Sequence, residues 1–226
     1  MLTFDCYGTL IDWESGITAA LKPMLAIHNI TLSDDQILTL YAEAEPKAQQ
    51  QIGFATYREI LARVVREIGE RLEFTPSSAE ESCLADSIKD WRPFSDTVEA
   101  LQALKRRFKL AIISNVDDDL FADSAKRLQV EFDWVITSEQ VGNYKPSHRN
   151  FEYAFEHIGV PTERILHVAE SLYHDITPAT ALGLSNVWVN RHQGKEGAGA
   201  THTTDAKPDL EVPDLKTLVP LMGLDS

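Results

Sequence analysis

Leu2-Thr3-Phe4-Asp5-Cys6-Tyr7-Gly8-Thr9-Leu10 decides the fold class. A short apolar run with a branched residue inside it reads as a buried strand, and it stops at an acid followed by a Gly-containing turn. Such a segment delivers a carboxylate from a strand end into a loop. Outward from it, apolar runs recur at residues 110–113, 134–137, 165–168 and 186–189. The later runs are separated by helix-length segments at 95–107, 121–129 and 150–158, and 177–182 precedes the last. Strands alternating with helices predict an α/β fold with a doubly wound, Rossmann-like parallel sheet.

The first and second runs are about a hundred residues apart, and residues 14 to 91 carry helical patterns with no convincing strand. Tyr57, Ile60, Leu61, Val64, Val65 and Ile68 mark one helix, and Ile37, Leu38, Leu40 and Tyr41 suggest another. The block reads as an all-helical cap (14–91) inserted into a core formed by 1–13 and 92–226. Its edges are Trp13-Glu14-Ser15-Gly16 and Trp91-Arg92-Pro93-Phe94, where proline disfavours helix continuation. Two chain connections would let the cap act as a lid. The Gly-, Ala- and Thr-rich stretch 194–205 reads as a surface loop.

The chain has 226 residues, with 35 Asp and Glu against 21 Lys and Arg and a net charge of −14. That charge repels nucleic acid and anionic membranes. The compact basic run, Lys105-Arg106-Arg107, ends an amphipathic helix pattern, where cations suit the helix dipole. No apolar run reaches about 18 residues, and the start lacks a charged leader and cleavage site, so a cytoplasmic protein is expected. Cys6 and Cys83 fall in unrelated contexts, and no disulfide framework is expected. The histidines (28, 148, 157, 167, 174, 192 and 202) form no zinc-ligand spacing.

In a parallel α/β sheet, ligands bind beyond the carboxyl ends of the strands. There this sequence places Asp5 after the first run, Ser114-Asn115 after the second, Asn143-Tyr144-Lys145-Pro146 after the third, and Glu170-Ser171-Leu172-Tyr173-His174-Asp175 after the fourth. Singly, Ser114 could cap a helix, Lys145 could be solvated, and Asp175 could sit at a helix N-terminus. Their ordered arrival on one sheet edge argues for a site. His174 could carry protons there, but its place at a helix start favours a structural hydrogen bond.

Asp-x-Tyr-Gly-Thr-Leu after an N-terminal strand, Ser-Asn, Tyr-Lys-Pro and the acidic fourth segment together resemble the four motifs of the haloacid dehalogenase superfamily, over essentially the whole chain. The resemblance implies Asp5 as nucleophile, Ser114 and Asn115 as binders of the substrate's anionic end, and Lys145 as the cation that keeps Asp5 ionised. It places Asp5, Lys145, Ser114 and Asp175 in the catalytic set, and Tyr7, Ser114, Asn115 and Ser171 against a small anionic substrate. Related dehalogenases are often dimers, which leaves a homodimer open.

Position 7 separates two chemistries. Superfamily phosphatases usually carry a second aspartate there as general acid and base, whereas tyrosine, with a pKa of about 10, does not readily do that work. Halide leaves without a proton, so Tyr7 resembles the type II 2-haloacid dehalogenases, which form an aspartyl ester and require no cofactor. Three departures run the other way. No arginine stands near Tyr41-Ala42-Glu43, with Arg58 as the one substitute and a surface role the favoured reading of it; Phe151 replaces a tyrosine; and Glu170 and Leu172 replace a serine and an asparagine. Asp5, Glu170 and Asp175 against Lys145 alone leave excess negative charge, which requires an acid to be protonated or turned away, or a divalent cation to bind. In a Mg²⁺-dependent phosphatase of this superfamily the ion would sit on Asp5, the Tyr7 carbonyl and Glu170, with Asp175 in support. The dehalogenase reading is preferred because Phe-Asp-Cys-Tyr-Gly-Thr-Leu is the more specific string; the phosphatase and a non-catalytic ligand-binding member are the alternatives.

Overall fold

The opening run forms β1 (Leu2–Phe4), with all three side chains buried. It becomes an inner strand of a parallel sheet because both of its edges find partners. Leu2 lies opposite Leu110 on one side and Leu166 on the other. The structure, a computed structural model, describes residues 1–49, 53–193 and 204–224. Among these, β1, β2 (Leu110–Ser114), β3 (Trp134–Thr137), β4 (Leu166–Ala169), β5 (Ser185–Val189) and β6 (Leu210–Val212) run parallel in the order β3-β2-β1-β4-β5-β6. The order reverses between β1 and β4, and a crevice opens beyond such a reversal. The fold is therefore the expected Rossmann-like parallel sheet with helices.

Every element described between residues 13 and 90 is a helix: α1 (Trp13–Ile27), α2 (Asp34–Gln49), α3 (Tyr57–Arg71), α4 (Ser78–Glu81) and α5 (Cys83–Ser87), ending in a short turn of helix at Ile88–Asp90. Asp12 caps α1 by accepting from the Ser15 N–H, and Thr56 and Glu59 cap α3 reciprocally. The apolar face anticipated for α3 is buried throughout. In α2 the buried face runs through Ile37, Tyr41, Ala44, Glu45 and Ala48. Leu38 and Leu40 are only partly buried, because a 3.6-residue period turns them off that face.

The helical block reaches over the carboxyl edge of the sheet. The Tyr57 and Arg58 N–H groups donate to Asp117 at 2.7 and 2.9 Å, and the Tyr144 hydroxyl donates to the Ala55 carbonyl at 2.7 Å. Its two connections run side by side, with Asp12 N–H donating to the Arg92 carbonyl and Phe94 N–H to the Leu10 carbonyl. A Cβ on Gly16 would lie 2.5 Å from the Trp91 indole, so only glycine lets α1 cross this junction. On this pairing we propose the division into a core of 1–13 with 92–226 and a cap of 14–91.

The rest of the sheet's helices are α6 (Thr97–Lys105), α7 (Asp118–Leu128), α8 (Ser138–Val141), α9 (His148–Ile158) and α10 (Thr177–Ala181), and α11 (Leu215–Leu221) closes the fold against α6. β6 and α11 lie beyond the reach of the sequence reading, since β6 buries Val212 alone and offers almost no pattern. The loop expected at 194–205 lies outside the described residues except for its last two. The basic run at 105–107 serves the fold: Lys105 pairs with Asp133, and Arg107 donates to the carbonyls of Met222 and Gly223. No helix among the described residues is long and apolar enough to cross a membrane.

Candidate active site

At the end of β1, Asp5 projects into the crevice and is 6 % exposed. Lys145, 1 % exposed, reaches it from the loop before α9. Its ammonium donates to Asp5 Oδ1 at 2.9 Å, to Asp175 Oδ1 at 2.6 Å and to the Ile113 carbonyl at 2.9 Å. Three acceptors use all three ammonium protons, which is what makes the burial of so costly a charge tolerable. Behind them, His167 on β4 bridges Thr3 Oγ1 at 2.9 Å and Asp175 Oδ1 at 3.0 Å.

The electrostatics follow from this unequal sharing. Burial pushes the Asp175 carboxyl up, but Lys145 and His167 outweigh it and hold the carboxyl below its usual range. Burial pushes Lys145 down, and the two carboxylates reverse that and raise it. For Asp5 burial dominates, Asp175 adds to it, and Lys145 only partly offsets them, so its carboxyl sits above the usual range. Asp175 and Lys145 form a fixed ion pair, and of the two carboxyls on this lysine Asp5 has the less stabilised charge.

Local structure holds Asp5 in place. Thr9 donates to Asp5 Oδ2 at 2.8 Å and accepts from the Glu170 N–H at 2.9 Å, tying the first strand end to the fourth. Arg191 donates to the Thr9 carbonyl at 2.8 and 3.2 Å while gripping both oxygens of Asp96. Gly8 has φ +91°, and a Cβ there would lie 3.1 Å from the Trp13 indole nitrogen and 3.4 Å from Glu170 Oε2. The turn after Asp5 thus requires glycine on two counts.

Ser114 ends β2 and lines the cleft with Asp5, Tyr7, Asn115, Lys145, Glu170, Ser171, His174 and Asp175. The structure brings all the anticipated residues together. Asn115 also clips the lysine loop: Oδ1 accepts from the Lys145 N–H at 2.7 Å and Nδ2 donates to its carbonyl at 3.1 Å. Ser171 accepts from the His174 N–H at 3.0 Å and contacts its Nδ1 at 3.1 Å, the structural bond favoured for this histidine. The Tyr7 hydroxyl shares a 2.8 Å hydrogen bond with Ser124, and burial pushes its pKa well above the usual value. Arg58 faces outward to Asp119 and Asp86, with its side chain 44 % exposed. Phe151 is buried edge-on against His167.

The sequence reading missed several contributors. His167 lies opposite Thr3 in the β1–β4 register, so its only signal is a polar pair facing one another in two apolar strands. From the helical side Trp13, Glu45 and Tyr57 also line the cleft, Trp13 where hinge packing was expected. His192, 3.8 Å from Glu170 Oε1, also faces Glu14 at 3.5 Å.

Among the described residues no three His, Cys, Asp or Glu side chains converge as a ready metal cage. Magnesium, however, takes one or two carboxylates and keeps its waters. Asp175 Oδ2 is buried without a hydrogen-bond partner, and Asp5 and Glu170 line the same cleft. This hard-oxygen set fits Mg²⁺ in chemistry.

A parallel sheet whose carboxyl edge presents buried carboxylates around one shared lysine defines a Rossmann-like hydrolase. Residues 1–183 match the haloacid dehalogenase-like hydrolase family model. The chain belongs to that family and is a hydrolase. It is 28% identical to the pyrimidine 5'-nucleotidase YjjG of Escherichia coli (strain K12), over 92% of this chain and 94% of that one. It is 29% identical to the (S)-2-haloacid dehalogenase of Pseudomonas sp. (strain YL), over 97% and 93%. The structure of the L-2-haloacid dehalogenase from Xanthobacter autotrophicus superposes with a TM-score of 0.79 at 21% identity, covering 98% of this chain and 97% of that one, a likeness of fold.

Proposed function

We propose that the chain hydrolyses the carbon–halogen bond of a small 2-haloacid, with Asp5 as nucleophile. The observation that carries this reading is Tyr7: its hydroxyl is bonded to Ser124 and held neutral by burial, so the position that would protonate a leaving oxygen holds no usable acid. Halide leaves as a stable anion and needs none.

In the first step a lone pair of Asp5 forms a C–O bond to the carbon next to the substrate carboxylate, and the C–X electrons depart with the halide. Lys145 favours the charged form of Asp5 against the cost of its burial, and Thr9 orients it. Ser114 and Asn115 offer the substrate carboxylate neutral hydrogen bonds. In the second step water attacks the ester carbonyl carbon, and one of its protons passes to Asp175 Oδ2, the oxygen left without a partner. Asp175 returns that proton to the departing 2-hydroxyacid oxygen as the acyl C–O bond breaks, the second water proton being released from Asp5. The products are the 2-hydroxyacid, halide and one proton, with Asp5 regenerated.

Glu170 favours a second reading, phosphate-ester hydrolysis, which the nucleotidase among the relatives also supports. Asp5, the Tyr7 carbonyl, Glu170 and Asp175 would hold Mg²⁺, which when bound would neutralise charge on a phosphoryl group. Turnover of 2-chloropropionate and of an aryl phosphate, each with excess Mg²⁺ or EDTA, separates the two. Chloride release indifferent to EDTA is expected; phosphate release that EDTA abolishes, without chloride release, would overturn the dehalogenase reading.

A further inference from the structure

Among the described residues the cap brings no cation to the cleft, Arg58 facing away, and the core's Lys145 is spent on two carboxylates. What it brings is Glu45, 7 % exposed on the inner face of α2. The Tyr57 hydroxyl donates to Glu45 Oε1 at 2.9 Å, and the Tyr41 hydroxyl contacts the same oxygen at 3.3 Å. Oε2 takes no hydrogen bond among the described residues, although the side chain lines the cleft that contains Asp5.

We propose that Glu45 is the cap group that recognises the substrate, its uncharged carboxyl donating a hydrogen bond from Oε2 to a carboxylate oxygen of the haloacid. In its naming of the haloacid this deepens the dehalogenase reading and rests on it. Two neutral hydroxyls at one oxygen, themselves hydrogen-bonded at 3.0 Å, with no cation in contact among the described residues, suit the carbonyl oxygen of a carboxylic acid, and the proton then sits on the other oxygen. A fourth ionised carboxylate beside Asp5, Glu170 and Asp175 would have to be buried against a single lysine, which is costly. Burial accordingly raises the Glu45 pKa despite the two tyrosines. A neutral acid donates a strong hydrogen bond to an anion, so it can serve where the cap has no arginine.

The test is calorimetric titration of propionate, a carboxylate without a leaving group, into wild type, E45A and E45Q. E45A should weaken binding about tenfold or more, the worth of one hydrogen bond to a charged group. Glutamine reproduces a neutral acid, its carbonyl facing the tyrosines and its amide donating, so E45Q should recover affinity to within about threefold. Infrared difference spectra of wild type against E45Q at neutral pH should contain a protonated-carboxyl stretch. Should E45A fail to fold, Glu45→Met keeps the bulk without the polar atoms. Binding by E45A equal to wild type, E45Q as weak as E45A, a missing protonated-carboxyl band, or no propionate binding by wild type overturns the proposal. Chloride release from 2-chloropropionate by wild type, assayed in parallel, judges the dehalogenase reading separately: propionate bound through Glu45 without halide release would retain the acid's role and reject the chemistry.

Discussion

Asp5 and Glu45 line the same cleft, one from the sheet edge and one from the helical cap, in opposite surroundings. Asp5 shares an ammonium with Asp175, while among the described residues Glu45 meets only tyrosine hydroxyls. Burial raises both carboxyls. The partners differ: a cation at 2.9 Å favours the ionised form of Asp5, and two neutral donors suit the uncharged acid proposed for Glu45. Residue type does not assign a role in such a cleft; the charge of the neighbours does.

The largest effect expected on the Asp5 side is Asp5→Asn, which should reduce single-turnover halide release by about 10⁴ or more while the circular dichroism stays native. Retained turnover would remove Asp5 from the nucleophile role. Lys145→Met should cost about 10²–10³ in kcat/KM. It should also move the acid limb: because the Asp5 carboxyl is raised and must be ionised to attack, kcat/KM should climb at a pH above the ordinary carboxylate range, and loss of the ammonium should shift that climb further upward. A limb that stays in place would show that Lys145 does not set the charge of Asp5.

Asp175→Asn sharpens the comparison through stability. A carboxyl depressed in the folded state stabilises the fold above its unfolded pKa, and that contribution disappears as pH falls through the folded value. The variant should lose about 3 kcal/mol at neutral pH, measured by urea unfolding, and the gap to wild type should close in acid. A gap independent of pH would reject the fixed ion pair. The smallest effect is expected across the cleft: Tyr57→Phe removes one neutral hydrogen bond to Glu45 and should raise KM about three- to tenfold with kcat little changed. A fall in kcat with KM unchanged would contradict a binding role for this triad.

Much of this arrangement was legible before folding. Each of the first four strand ends advertises itself by an apolar run that stops at a polar turn, a local signal, so Asp5, Ser114, Lys145, Glu170 and Asp175 could be assigned to one edge of the sheet. His167 was not legible, because one histidine within an apolar strand acquires meaning only from the Thr3 and Asp175 it meets. Glu45 was hidden for a similar reason: Tyr41 lies four residues before it on α2, but Tyr57 arrives from the next helix.

The sequence by itself therefore determined the alternation of strands and helices, the helical insertion and the chemistry delivered at each strand end, because these depend on periodicity and turn residues close along the chain. Tertiary structure alone decided that Lys145 divides its charge between Asp5 and Asp175, that Asn115 braces the lysine loop, that Arg58 turns outward and that Glu45 faces the cleft. Charge state and orientation depend on which groups are buried together within a few ångströms, and for Asp5 and Lys145 those groups lie 140 residues apart.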